Sequence, residues 1–299
     1  MPPANQAASP WRGYMHLGVV YVVWSSTYLA IRLAVRPGAG FPPFSLAALR
    51  CGMAFPLLLL WARLRGQRLW PTRGELPLLA ASGILLWTFG NALVVVAEQR
   101  IDSALAAILI ASTPIWVAVL ESLLDRQMPS RLVVVALLVG FVGTGLVGYP
   151  ALRGGVRADT VAIVVLLLAS LSWGLGSILQ RRRRIELEAM ASAAYQMLFG
   201  GIGATILALL SREPMPTPSI TAWTGFAFLL VFGSLISFVS FIRALHLLPT
   251  RVVFTYGYVN PVMAALLGWL VLGERVSSVS LAGGGLVLLG VAGAFRARD

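Results

Sequence analysis

The sequence contains no lysine, one cysteine, two histidines and few charged residues of either sign. A single cysteine, Cys51, excludes an intrachain disulfide and a zinc site built from cysteines. His16 and His246 leave little basis for histidine-centred metal or acid–base chemistry. We therefore expect neither a metal nor a cofactor. Charged residues make up 11% of the 299 positions, against about 25% in soluble domains.

Apolar residues are correspondingly abundant. They make up 58% of the chain, and the mean hydropathy is +0.85. A soluble protein of this size cannot bury that much apolar surface, because its exposed surface still grows with mass. The composition therefore predicts an integral membrane protein whose main partner is the lipid bilayer. The net charge of +12 does not indicate nucleic-acid binding, since the arginines lie in short breaks between apolar runs and form no contiguous patch.

Ten apolar runs are each long enough to cross a bilayer, which takes about 20 residues of helix. Charged residues and clusters of proline and glycine separate them. The runs cover residues 14–35, 44–62, 76–98, 103–124, 131–150, 158–179, 190–211, 221–246, 250–273 and 277–296. The expected fold class is an all-α membrane protein of ten transmembrane helices with short connections.

The positions of the arginines predict the orientation in the membrane. Fourteen fall on the side of the N-terminus, six on the opposite side and three within the predicted spans. Because positive residues are enriched in cytoplasmic loops, both termini are expected in the cytoplasm, with residues 1–13 as an N-terminal tail. The run Arg181–Arg184 contributes to this bias, and a patch that binds lipid headgroups is the alternative role for it.

The two halves of the chain resemble each other. Trp24 and Trp173 lie 149 residues apart in similar contexts, and Pro114 and Pro261 lie 147 apart. Five spans per half is an odd number, so the second half must enter the membrane from the opposite side. Residues 14–150 and 158–296 are therefore expected to form an inverted repeat. In secondary transporters such repeats place the substrate between the halves, near the membrane midplane.

Four stretches carry a family resemblance that extends over essentially the whole chain. They are Trp24–Arg32, Gly90–Pro114, Ser172–Ser177, and Tyr256–Pro261 together with Gly273–Arg275. Together they resemble the drug/metabolite transporter superfamily, in its bacterial branch of EamA-type metabolite and amino-acid exporters. The resemblance implies efflux of amino acids or related metabolites across the bacterial inner membrane.

Polar and aromatic side chains in the predicted helices share faces at helical spacing. Intramembrane polar groups tend to face the protein interior, and rings interleaved with hydroxyls and amides suit a small amphipathic solute such as a hydrophobic or aromatic amino acid. Helix packing is the alternative role for each of these residues. The candidate substrate-binding residues are Trp24, Ser25, Tyr28, Trp87, Asn91, Ser112, Trp173, Ser177, Ser237, Tyr256, Tyr258 and Asn260.

Charged residues and prolines supply further candidates. Arg50 is the deepest charge in a predicted span, and we expect it to pair with Glu98, or else with Asp102. These three residues are candidates for a gate or for a proton-coupling site. Pro114 and Pro261 are expected to kink their helices, because proline lacks the N–H and clashes with the carbonyl four residues earlier.

The leading interpretation is a secondary exporter that moves aromatic or hydrophobic amino acids and related metabolites by alternating access, as a monomer or a weak homodimer. Efflux of drugs or other lipophilic compounds is the alternative. Lipophilic cations would favour a carboxylate at the midplane, which no predicted span contains. An intramembrane enzyme is disfavoured, because no recognised catalytic motif is present. Proton coupling and facilitated diffusion both fit this sequence.

A reporter fused after Asp299 tests the orientation and the number of spans. With ten spans and a cytoplasmic N-terminus, a reporter whose activity depends on its compartment should behave as cytoplasmic. Periplasmic behaviour of the fusion would contradict the count of ten.

Overall fold

The computed structural model describes residues 10–101, 103–153, 159–183, 185–272 and 277–297. Within these residues the regular structure is helical, which agrees with the expected all-α fold. The helices are α1 (Pro10–Val35), α2 (Pro43–Leu64), α3 (Glu75–Ala97), α4 (Ser103–Ile110), α5 (Thr113–Asp125), α6 (Arg131–Arg153), α7 (Thr160–Arg182), α8 (Ala189–Leu210), α9 (Ile220–Leu247), α10 (Thr250–Val253), α11 (Tyr256–Leu272) and α12 (Ser278–Arg296).

Nine helical segments of the described residues are long and apolar enough to cross a bilayer, so the protein is a multi-pass membrane protein. One of these segments combines α4 and α5, which a short break at residues 111–112 separates. The predicted span 250–273 is divided between α10 and α11, and α11 has 17 described residues, at the lower end of the length that spans hydrocarbon. The tenth span and the orientation of the termini stay predictions.

Helix ends follow the usual capping chemistry. Asp159 begins α7, and its carboxylate accepts hydrogen bonds from the backbone N–H groups of Val161 and Ala162 at 2.8 and 3.1 Å. These bonds, and an ion pair with Arg100 at 3.3 Å, hold the pKa of Asp159 below its ordinary value. Ser219 and Ser277 cap α9 and α12 in the same way. The Arg100–Asp159 pair also joins the end of α3 to the start of α7.

Two glutamates connect the halves of the chain. Glu213, which follows α8, accepts two backbone N–H groups at the start of α2 at 2.9 and 2.8 Å. Glu75, at the start of α3, accepts two backbone N–H groups just before α8 at 2.8 and 2.9 Å. Negative charge at a helix N-terminus is favourable, because the helix dipole is positive there. Each half therefore supplies an acidic cap to the other, and α2 and α8 pack along each other between these caps.

Helices α6 and α12 pack through two glycines at backbone contact. A Cβ added to Gly283 would lie 2.7 Å from the Gly143 carbonyl oxygen, and a Cβ added to Gly143 would lie 2.8 Å from that of Gly283. Small residues allow membrane helices to approach closely. At this crossing there is no flexible side chain that could move to make room, so a larger residue must separate the two backbones.

Replacing Gly283 by alanine should therefore destabilise the protein by about 1–3 kcal/mol, the usual cost of overpacking. The matched control is Gly285→Ala on the same helix, where a Cβ meets nothing within 4 Å. Thermal unfolding of both purified variants in detergent checks the difference. Equal melting temperatures for Gly283→Ala and Gly285→Ala would contradict the close packing of α6 and α12.

Candidate functional site

A cavity lies where helices of the two halves meet. Helices α1 to α5 contribute to its wall from the first half, and α7 and α11 contribute from the second. The volume of the cavity is about 80 Å³, smaller than the roughly 300–1,000 Å³ that small-molecule sites typically occupy. The residues that line the cavity are Trp24, Thr27, Tyr28, Ile31, Arg50, Trp87, Gly90, Asn91, Val94, Ile110, Thr113, Ala169, Ser170, Trp173, Tyr256 and Asn260.

Three indoles and a phenol form a connected aromatic wall. The Trp24 ring meets Trp173 edge-on with centroids 5.4 Å apart, and meets Tyr256 edge-on at 5.0 Å. Trp87 contacts Trp173 from the other side at 6.3 Å. Edge-to-face contacts of this kind stabilise aromatic clusters beyond their buried area. They hold the rings in fixed orientations at the edge of the cavity.

Several polar atoms on the wall have no hydrogen-bond partner. Within the described residues, Ser170 Oγ, Asn260 Oδ1 and Trp87 Nε1 are buried and make no hydrogen bond. Buried polar groups are usually paired, since an unpaired one costs free energy. By contrast, Thr27 and Thr113 on the same wall donate to carbonyls of their own helical segments. The three unpaired groups are therefore available to a polar solute in the cavity.

Among the described residues of this lining, Arg50 is the one that carries a charge, and it is 3% exposed. Its Nε donates to Ser234 Oγ at 2.7 Å, and its Nη1 donates to Asn91 Oδ1 at 3.2 Å. The guanidinium carbon lies 4.9 Å from the centroid of the Trp87 ring, within range of a cation–π interaction. Neutral groups and a ring therefore hold this charge.

Two π-helical segments flank the cavity, Ile84–Asn91 within α3 and Leu229–Phe238 within α9. They begin 145 residues apart and end 147 apart, close to the offset between the halves. Such segments are rare and often occur at functional sites. The first carries Trp87 and Asn91, and the second carries Ser234. Two hydrogen bonds fasten the first segment to the second half, from Ser172 to the Leu85 carbonyl and from Thr88 to that of Gly200.

Both halves of the chain match one known protein family. The sequence model of the EamA-like transporter family matches residues 11–149 and, a second time, residues 160–296. The chain belongs to the EamA-like transporter family. This confirms the resemblance to the drug/metabolite transporter superfamily that the sequence motifs carry.

Named relatives of this EamA-like transporter span almost its full length. The "Uncharacterized inner membrane transporter YedA" of Escherichia coli K12 is 30% identical over 279 residues, which cover 92% of this chain and 88% of YedA. The "Uncharacterized transporter YdfC" of Bacillus subtilis is 24% identical over 269 residues, covering 90% and 86%. A solved structure, described as a crystal structure of a protein, has a TM-score of 0.77 at 19% identity. It covers 94% of this chain and 96% of its own, so the two share a fold.

Seven of the twelve candidate residues of this EamA-like transporter line the cavity. They are Trp24, Tyr28, Trp87, Asn91, Trp173, Tyr256 and Asn260. The list of candidates leaves out Thr27 and Ser170, although each lies three residues from a candidate tryptophan and so on the same helical face. Arg50, a candidate for a gate or a proton-coupling site, lies in the lining of the cavity.

The other five candidates are not part of the cavity wall. The hydroxyls of Ser25, Ser112 and Ser177 donate to carbonyls of their own helical segments, at 2.7, 2.6 and 2.8 Å. Ser237 is buried in the second π-helical segment. Tyr258 donates to the Leu137 carbonyl on α6 at 3.1 Å. In these cases packing, or hydrogen bonding within a helix, accounts for a residue that periodicity had assigned to the solute.

The predicted ion pair between Arg50 and Glu98 is wrong. Within the described residues, Arg50 has only the neutral partners given above, and neither Glu98 carboxylate oxygen has a hydrogen bond. Glu98 is 5% exposed, and the charge that acts on it is Arg32 of α1. Asp102, the second candidate partner, lies outside the described residues.

Pro114 does not kink a continuous helix, because the chain breaks just before it. It occupies the first turn of α5, where its missing N–H costs nothing. The Thr113 hydroxyl donates to the carbonyl of Ile110 at 2.6 Å, the carbonyl that proline leaves without its helical partner. In the second half the break lies at residues 254–255, ahead of Pro261, which is inside α11. Gly257 on α11 packs directly against Pro114, so the two breaks adjoin.

Proposed function

We propose that this protein exports small amphipathic solutes across the bacterial inner membrane, with hydrophobic and aromatic amino acids favoured. The observation that carries the proposal is the cavity between the two halves, which combines an aromatic wall with unpaired hydrogen-bonding groups. Family membership supports transport as the activity. The composition of the wall supports the choice of solute, since rings contact an apolar side chain while amide and hydroxyl groups bind the polar end.

Alternating access follows from the proposed arrangement of residues 14–150 and 158–296 as inverted repeats. In such transporters the two repeats rock about a central site that opens to each side in turn. The double match of the family model supports two equivalent units. The breaks at residues 111–112 and 254–255, together with the two π-helical segments, supply points near the cavity where helices can bend without losing a long run of hydrogen bonds.

Efflux of lipophilic drugs is the second candidate function, and an aromatic cavity is compatible with it. Cationic drugs are disfavoured by the charge of the wall. None of the described lining residues is acidic, and the one charged lining group is the Arg50 guanidinium. A cation in the cavity would meet like charge in a medium of low dielectric constant.

Counterflow in proteoliposomes tests the proposal. Vesicles containing the purified protein are loaded with unlabelled phenylalanine, and entry of labelled phenylalanine is measured with and without a pH gradient. Aromatic and hydrophobic amino acids should compete, and an effect of the gradient would indicate proton coupling. Movement of lipophilic cations without any amino-acid counterflow would contradict the amino-acid proposal and favour drug efflux.

Substitutions of residues that line the cavity should weaken counterflow, and substitutions outside the lining should not. Loss of one hydrogen bond to the solute, in Ser170→Ala or Asn260→Ala, should weaken apparent affinity about 2- to 10-fold. Trp173→Ala should weaken it by more, because it removes the ring contacts with the solute. Ser25→Ala is the matched control, since its hydroxyl bonds to its own helix. A Ser25→Ala effect as large as that of Ser170→Ala would show that the wall has been assigned wrongly.

A further inference from the structure

We infer that Arg50 binds the anionic group of the transported solute, so that the solute must carry a carboxylate beside its apolar body. The inference deepens the proposed function and rests on it for the identity of the solute. It assigns Arg50 to substrate recognition, where an arginine at this depth would otherwise be explained by an internal ion pair.

The hydrogen-bond donors of Arg50 are only partly used. A guanidinium has five N–H donors in a planar fork. One is directed to Ser234 Oγ and one to Asn91 Oδ1, which leaves three N–H groups without an acceptor among the described residues. The side chain borders the cavity. An acceptor in the cavity can therefore reach the guanidinium, which still has unused N–H donors.

The charge of Arg50 is likewise uncompensated. Within the part of the chain that the structure describes, the guanidinium forms no ion pair with a carboxylate. Burial of an isolated charge is costly, and membrane arginines usually pair with an acid or reach the interface. The Trp87 ring offsets part of that cost. An anionic solute would offset more of it, because a carboxylate can accept two parallel N–H bonds from the fork.

A glycine in the second half of the chain leaves room for the guanidinium of Arg50. A Cβ added to Gly233 would lie 2.8 Å from Arg50 Nη2, so the absence of a side chain there leaves room for the guanidinium. Ser234, the next residue, accepts from Nε on the same side. The π-helical segment of α9 thus positions a cation contributed by α2. A group oriented before binding loses less entropy when the solute arrives.

The opposite end of an amino acid would meet weaker partners. Asn260 Oδ1 and Ser170 Oγ are neutral acceptors suited to an ammonium group. On the carboxylate side both partners would be charged and could form two parallel hydrogen bonds, whereas on the ammonium side the protein offers only neutral acceptors. Recognition should therefore depend on the carboxylate more strongly than on the ammonium.

Analogues of phenylalanine that lack either the ammonium or the carboxylate test the contribution of each group on the unmodified protein. In counterflow of labelled phenylalanine, 3-phenyllactate, which lacks the ammonium, should compete nearly as well as phenylalanine. Phenylalaninamide, which lacks the carboxylate, should compete about 10- to 100-fold more weakly. Equal competition by the acid and the amide would overturn the assignment of Arg50.

Variants test whether Arg50 is the cause of the preference for the acid over the amide. Arg50→Gln should lose the preference for the acid over the amide. The control Arg63→Gln removes an exposed guanidinium from the same helix and should keep it. Gly233→Ala retains the charge but crowds Nη2, so it should raise the KM for the acid while leaving that for the amide nearly unchanged. Retention of the full preference in Arg50→Gln would overturn the inference. If Arg50→Gln does not fold, Gly233→Ala and the analogue series decide.

A binding measurement distinguishes failure of this inference from failure of the proposed function. If phenylalanine is not transported, thermal unfolding of the purified protein is followed with 3-phenylpropionate and with 3-phenylpropionamide. If 3-phenylpropionate stabilises Arg63→Gln but neither Gly233→Ala nor Arg50→Gln, and the amide stabilises none of them, Arg50 is supported as the anion site. The proposal of amino-acid export then fails on its own. Equal effects of the acid and the amide would reject the anion site.

Discussion

A polar group inside a bilayer has no water to bind, so it must find its partner within the protein. Most of the intramembrane hydroxyls satisfy this constraint locally, as Ser25 and Ser177 do by donating to carbonyls one turn earlier. Others join helices, as Ser172 does across the halves. Three groups that remain unpaired line the same cavity as the fork of Arg50. The cavity is therefore a place where a solute can complete hydrogen bonds that the protein leaves open.

The same constraint explains where the backbone is irregular. A helix can break or widen in a membrane only where other groups take over the freed carbonyls. Thr113 does so for Ile110 at the break before α5, and Ser172 does so for Leu85 in the first π-helical segment. Both irregularities border the cavity. A deformable backbone and a polar solute site therefore both depend on hydrogen-bonding groups that the protein supplies around the cavity.

Hydropathy predicted the apolar spans well because length and composition are local properties. Helical periodicity also brought the right aromatic residues together where the helix is regular, as for Trp24 and Tyr28 on α1. In α9 the list of candidates names Ser237, which lies in the second π-helical segment. The structure brings Ser234, three residues earlier in the same segment, to Arg50. The sequence contains no local signal for that segment, since its residues are ordinary for a membrane helix.

The wrong pairing of Arg50 with Glu98 has a related cause. Depth along a predicted helix indicates which charges share a layer of the membrane, but not which way each side chain points. Arg50 contacts Gly233 and Ser234 of α9 and lies in the lining of the cavity. Glu98 instead interacts with the charge of Arg32 on α1. A buried charge such as that of Arg50, with no opposite charge in contact, is unfavourable unless something else binds it. A carboxylate that arrives with the solute would meet the charge of Arg50 only while the cavity is occupied, which ties the charge balance of the protein to its transport cycle.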